Sequence, residues 1–134
     1  MSAQSGPYDL KTNSLRLRED CSAEVMPLDD EFWPSLMSGK LGNFHNEYLV
    51  LQLEFFEDWP TWEVHPNGDE IVYLISGEAE FHLEAPNGET SSLRVSEPGH
   101  FVLVPKGYWH TAKVKASAKM LFITPGEGTE NRPL

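Results

Sequence analysis

The stretch WEVHPNGDEIVYLISG, residues 62–77, decides how this chain is read. Glu63, His65, Asp69 and Glu70 crowd into its first half, and an apolar run ending at Gly77 follows. Side chains alternate across a strand, so Glu63 and His65 point to one face while Trp62 and Val64 point to the other. After the turn PNGD, Glu70, Val72 and Leu74 share a face, and Ile71, Tyr73 and Ile75 take the opposite one. If the two strands pair about that turn, Glu63, His65 and Glu70 can converge at one end of a barrel. Far along the chain GHFVLVPKGYWH, residues 99–110, repeats the arrangement and ends on His110.

Outward from these segments the chain reads as strand after strand. EYLVLQLEFF is a near-continuous apolar run of the kind buried on both sides. EAEFHLE alternates Ala79, Phe81 and Leu83 with Glu80, His82 and Glu84, so one side faces a core. Asn87-Gly88 marks a hairpin, because both residues tolerate positive φ. SSLRV, HFVLVP, HTAKVK and KMLFIT follow, and strands recurring roughly every ten residues predict an all-β sandwich or barrel. Before them SLRLRED and AEVMPL read as two short strands. LDDEFWPSLMSG reads as one or two helical turns, capped by Asp29 or Asp30, with Phe32, Leu36 and Met37 on one face. The expected organisation is a polar arm over residues 1–13, one barrel over 14–125, and a surface tail over 126–134 with nothing to pack.

Composition narrows the function. The net charge is −11, from 21 acidic against 10 basic residues, with no basic stripe to meet phosphates. Nucleic acid and anionic membranes are therefore not expected partners. KVKASAK, the most basic segment, reads as a solvated hairpin. A lone cysteine, Cys21, leaves no internal disulfide and fits a reducing compartment. With no apolar run near the ~18 residues of a membrane span and no secretory pattern at the start, a cytoplasmic location is expected. His45, His82 and His100 read as surface residues, and Asp69 as a turn residue.

The two segments resemble the paired motifs of the cupin family. In the first, the family has His-x-His, four residues, Glu, six residues, Gly; this chain has Glu63-x-His65, Glu70 and Gly77 at the same spacing. The second resembles Gly, five residues, Pro-x-Gly, two residues, His, met by Gly99, Pro105, Gly107 and His110, without the asparagine that often follows. WE-x-HP-x-GDE and the FITPG near the end are similar to those of small bacterial cupins. The resemblance covers residues 62 to about 114 and implies a cupin jelly-roll β-barrel with a short N-terminal helical turn. It further implies one divalent metal ion (Fe, Mn, Zn or Ni) held by His65, Glu70 and His110, and a small organic molecule as substrate or ligand. A homodimer is expected as well, since edge strands of such barrels often pair across a two-fold axis.

Glu63 departs from the family, which has histidine there. Without a metal, Glu63 and Glu70 would be two carboxylates in one partly buried pocket, and they would repel. A divalent cation with two carboxylates and two neutral imidazoles sums to zero charge, which suits a low-dielectric cavity. Glu63 either ligates directly or stands back as a general base beside a two-His-one-carboxylate set. Tyr108 has the parity of His110 and is the candidate cavity-lining aromatic. A dioxygenase-type oxidoreductase is the leading expectation. A metal-dependent isomerase or lyase and a non-catalytic ligand-binding or sensor module are the alternatives.

Overall fold

The computed structural model describes residues 5–134; the first four residues of the expected arm lie outside them. β1 (Asn13–Leu17), β2 (Ala23–Pro27) and α1 (Phe32–Met37) come first, then β3 (Tyr48–Phe55) and β4 (Thr61–Val64). β5 (Glu70–Gly77), β6 (Ala79–Glu84), β7 (Thr90–Val95) and β8 (Phe101–Val104) follow. β9 (Trp109–Lys113), β10 (Ala118–Pro125) and β11 (Glu130–Pro133) complete the order. The strands form two antiparallel sheets, a six-stranded one ordered β2-β1-β3-β10-β5-β8 and a five-stranded one ordered β11-β4-β9-β6-β7. The fold is all-β, of jelly-roll type, with a single short helix among the described residues.

The core follows from alternation. On the six-stranded sheet Leu51, Phe122, Val72 and Val102 stand side by side across β3, β10, β5 and β8, and all four are buried. On the five-stranded sheet Phe81, Leu83 and Ala112 do the same from β6 and β9. Gly77 is required where β5 ends. Its φ is 82°, and a Cβ there would stand 2.1 Å from the Ser117 carbonyl oxygen. The Asn87-Gly88 hairpin joins β6 to β7 as expected, with Gly88 at positive φ.

The structure corrects the expected pairing about PNGD. β4 pairs with β9 and β11, whereas β5 pairs with β10 and β8, so the turn is a corner between sheets and not a hairpin. Pro66 has no N–H to give a ladder, which ends pairing at Val64 and frees the chain to cross. KVKASAK is likewise a crossing and not a hairpin, since β9 and β10 lie in different sheets. Its Val114 turns into the core, and the Val114 N–H donates to Asp58 Oδ1 at 2.8 Å.

Three local expectations also change. Glu31, and neither aspartate, occupies the N-cap of α1, while Asp29 Oδ1 accepts from the Glu31 N–H at 3.0 Å. Phe32 is buried, but Met37 is exposed. The tail does pack: Glu130–Pro133 pairs with β4 as strand β11, an edge position that tolerates Pro133.

The outer faces of the two sheets differ in kind. On the six-stranded sheet Val25, Leu15, Val50, Ile123, Ile71 and Leu103 lie opposite one another, one from each strand. The next row is Gln52, Leu121, Tyr73 and Phe101. In β1 it is thus the leucines that face out. Arg16 turns the other way, its guanidinium 4.0 Å from the Phe44 ring and its Nε donating to Glu47 at 2.7 Å. The outer face of the five-stranded sheet carries Glu80, His82, Glu84, Arg94 and Lys113 in register across β6, β7 and β9.

Candidate metal centre

The corner at PNGD sets the expected polar residues against each other. Glu63 on β4 stands in register opposite His110 on β9. His65 lies just past the end of β4, and Glu70 opens β5 in the other sheet. Two backbone ties hold the corner to the loop before β9. The Gly107 N–H donates to the His65 carbonyl at 3.1 Å, and the Lys106 N–H donates to Asp69 Oδ1 at 2.7 Å. Asp69 is therefore a structural tie between the two motifs, and its reach extends beyond its own turn.

Four side chains meet at one point. His65 Nε2 lies 2.9 Å from Glu63 Oε1 and 3.3 Å from Glu70 Oε2, and His110 Nε2 lies 3.1 Å from Glu70 Oε1. One donor atom from each of Glu63, His65, Glu70 and His110 falls within 4.8 Å of the others. His65, Glu70 and His110 are almost wholly buried, while the Glu63 side chain keeps 29% of its surface exposed. Glu63 is the member of the cluster that meets solvent.

The outer ring nitrogens determine what the inner ones present. A carbonyl can only accept, so His110 Nδ1 carries a proton and donates it to the Tyr108 carbonyl at 3.2 Å. The Thr129 hydroxyl donates to the Gly126 carbonyl at 3.4 Å and accepts from His65 Nδ1 at 2.9 Å. In neutral rings both Nε2 atoms then turn lone pairs toward Glu70. Thr124 Oγ1 donates to Glu70 Oε2 at 2.7 Å, which holds the carboxylate in place.

Lone pairs aimed at a buried carboxylate require a cation between them. His65 Nε2, His110 Nε2 and Glu70 Oε1 are buried, and none is aligned in a hydrogen bond despite the short separations. A proton can serve. Burial, the largest influence on His65, would lower its pKa, but the contacts with Glu63 and Glu70 outweigh it and raise the value to about 9. Burial would raise Glu70, yet the His110 and His65 contacts outweigh it and bring the value down to about 2. A divalent ion can serve as well, because imidazole nitrogen and carboxylate oxygen are the donors that such ions take. All four side chains fit that group by donor type, and His65, Glu70 and His110 also by their unpartnered buried atoms.

The remaining expected residues lie farther out. Tyr108 packs partly buried against the core, and the atom it brings to the cluster is its backbone carbonyl. His45 and His100 are exposed, and His82 is half-buried with Nε2 2.9 Å from Glu80. Thr124 and Thr129 were not anticipated. Thr124 lies in the quoted FITPG, but a threonine in a strand gives no sign of its partner. Thr129 lies in the tail, where the sequence pattern offers nothing to pack.

Comparison with known proteins supplies the family. A family model described as Cupin domain matches residues 57–124. None of the curated proteins matches. Among solved structures, the chain is similar to a hydroquinone 1,2-dioxygenase from Sphingomonas sp. TTNP3 with 4-hydroxybenzoate bound. The two are 19% identical over 57% of this chain and 58% of the other, with a TM-score of 0.51. A recombinant oxalate oxidase in complex with glycolate matches at 20% identity over 62% of this chain and 45% of its own, with a TM-score of 0.53. An oxalate decarboxylase from Bacillus subtilis, described with Mn(II) centres, matches at 21% identity over 66% of this chain and 23% of its own, TM-score 0.51. These likenesses establish the fold, and this chain spans less than two thirds of each of those relatives.

Proposed function

This chain belongs to the cupin family, and on that premise we propose that its barrel holds one divalent metal ion and acts on a small organic molecule. The observation that carries the reading is the pair of buried Nε2 atoms turned toward Glu70 without hydrogen bonds. His65, Glu70 and His110 are the ligands in this reading. Glu63 is either a fourth ligand or a base at the mouth of the site, where its exposed oxygen can exchange protons with solvent. A bound ion would supply Lewis acidity and, were it iron or manganese, redox capacity.

The chain's own residues do the rest. Thr129 and the Tyr108 carbonyl hold the Nδ1 protons and so keep both Nε2 atoms available. Thr124 fixes Glu70, and the buried apolar inner faces keep bulk water from its carboxylate. The Tyr108 ring is the proposed aromatic neighbour of the substrate. The favoured chemistry is oxidoreduction of dioxygenase type, supported by the two-His-one-carboxylate set that remains when Glu63 stands back. A metal-assisted isomerase or lyase is the second reading. It is favoured by the exposure of Glu63, which suits a group that moves protons.

Elemental analysis of the purified protein, together with oxygen uptake on phenolic and small carboxylic substrates, tests the proposal. One equivalent of iron with oxygen consumption is the expected result; zinc or manganese without it would favour the second reading. Glu63→Gln separates the two roles of that residue, since metal retention falls if it ligates and holds if it acts as a base. Metal content unchanged in His65→Ala combined with His110→Ala would overturn the site.

A further inference from the structure

We propose that the indole N–H of Trp59 recognises the organic molecule that enters the barrel, donating to a carboxylate or carbonyl oxygen on it. The inference rests on the proposed function and adds to it the chemical class of the ligand. Among the described residues, the buried side-chain atoms without an aligned hydrogen bond come from four residues. Three are His65, Glu70 and His110, and the fourth atom is Trp59 Nε1. The Trp59 ring is inclined at 65° to that of His110 with centroids 6.0 Å apart, so the unmet donor belongs to the ring beside a proposed metal ligand.

The surroundings hold this ring in place. The Trp59 backbone N–H donates to the Ala112 carbonyl at 3.0 Å, and the Val114 N–H donates to Asp58 Oδ1 at 2.8 Å. Both ties run to β9 or its end, the strand that carries His110. Phe55, Phe81 and Phe122 cage the indole at centroid distances of 5.5–6.0 Å. Their π faces are weaker acceptors than oxygen. A buried donor left unmet costs stability, and a phenylalanine would fill an aromatic cage without that cost. An indole N–H can only donate, so its partner must bring an acceptor, which an ammonium group lacks. A carboxylate or carbonyl oxygen meets that need, and the three phenylalanines suit an apolar body attached to it.

Proton–nitrogen correlation spectra of the zinc-loaded full chain test the proposal, with acetate and benzoate as acceptor-bearing probes and toluene as the acceptor-free one. The Trp59 indole signal, assigned through its backbone, should move downfield with acetate or benzoate and not with toluene. Trp59→Phe should bind the carboxylate about 10-fold more weakly, the worth of one buried hydrogen bond, while keeping wild-type circular dichroism and zinc content. Trp62→Phe, at a ring that meets Arg132 instead, should leave carboxylate affinity unchanged. Zinc content separates the two readings: a chain that holds no zinc fails the metal reading, and the same titration on it still reads the Trp59 donor. The wild-type spectra decide alone if Trp59→Phe does not fold. An indole signal unmoved by both carboxylates, or moved as far downfield by toluene, would overturn the proposal, as would unchanged carboxylate affinity in a folded Trp59→Phe.

Discussion

The two sheets share one barrel core but present opposite surfaces outward. Across β6, β7 and β9 the outer positions hold Glu80, His82, Glu84, Arg94 and Lys113, and the inner ones hold Phe81, Leu83 and Ala112. Across β3, β10, β5 and β8 the inner side is apolar, and the outer side carries the aliphatic row Val50, Ile123, Ile71 and Leu103 beside the polar Gln52, Glu54 and Lys119. One sheet is therefore amphipathic and finished, and the other has a second face that water does not favour. The cluster of Glu63, His65, Glu70 and His110 lies where the two meet, drawing Glu70 from the six-stranded sheet and Glu63 and His110 from the five-stranded one.

The inner faces offer the largest test of what the sheets have in common. Phe81→Ala and Leu74→Ala, each at a position with 0% exposure, should each cost about 2–5 kcal/mol in urea unfolding. Both side chains belong to one core cluster, and a loss below about 1 kcal/mol for either would show that its position is not close-packed there.

The seam between the sheets should make stability depend on pH. His65 has its folded pKa raised from 6.5 to about 9, so its contribution is complete below pH 6.5 and fades as pH rises through 9. Glu70 has its folded pKa lowered from 4.5 to about 2, so its contribution is complete above pH 4.5 and fades as pH falls through 2. Chelator-treated protein should therefore melt highest between about pH 4.5 and 6.5, losing on the order of 2–3 kcal/mol on the alkaline side. Thermal melts across pH provide the measurement, and a maximum above pH 8 would contradict the coupling. Divalent metal should flatten the alkaline loss, because ligation favours neutral imidazole.

Thr129→Val probes the seam more gently. It removes the acceptor for His65 Nδ1 while keeping the side chain's shape, so metal affinity measured by chelator competition should drop about 10-fold. Thr129→Ser should restore it, which a merely structural role in the segment leading into β11 would not require.

The smallest effect belongs to the charged outer face. Arg132 Nη2 lies 3.0 Å from Glu84 Oε1, with both side chains about a third exposed. Breaking that pair with Glu84→Gln should cost under about 1 kcal/mol, diminishing further in high salt. A larger loss would mean that Arg132, whose guanidinium lies 4.4 Å from the Trp109 ring, holds β11 in place through that ion pair.

The amphipathic strands were the easier ones to read. EAEFHLE alternates so plainly that its inner and outer residues could be assigned without a structure, and the structure places them so. EYLVLQLEFF and EIVYLIS have no polar side, so a pattern of hydrophobicity could say only that both faces shun water. SLRLRED shows how such a pattern misleads: the partner that draws Arg16 inward is Glu47, distant in sequence.

The sequence by itself determined the strands, the two-residue alternation that puts Glu63 with His65, and the motif spacing that returns His110 to them. These are local or repeating features, and backbone geometry alone enforces them. Only the tertiary structure decided that PNGD crosses between sheets, that Thr129 reaches back 64 positions to His65, and that one sheet leaves an aliphatic row outward. Such pairings depend on which strands become neighbours, and no local pattern constrains that choice.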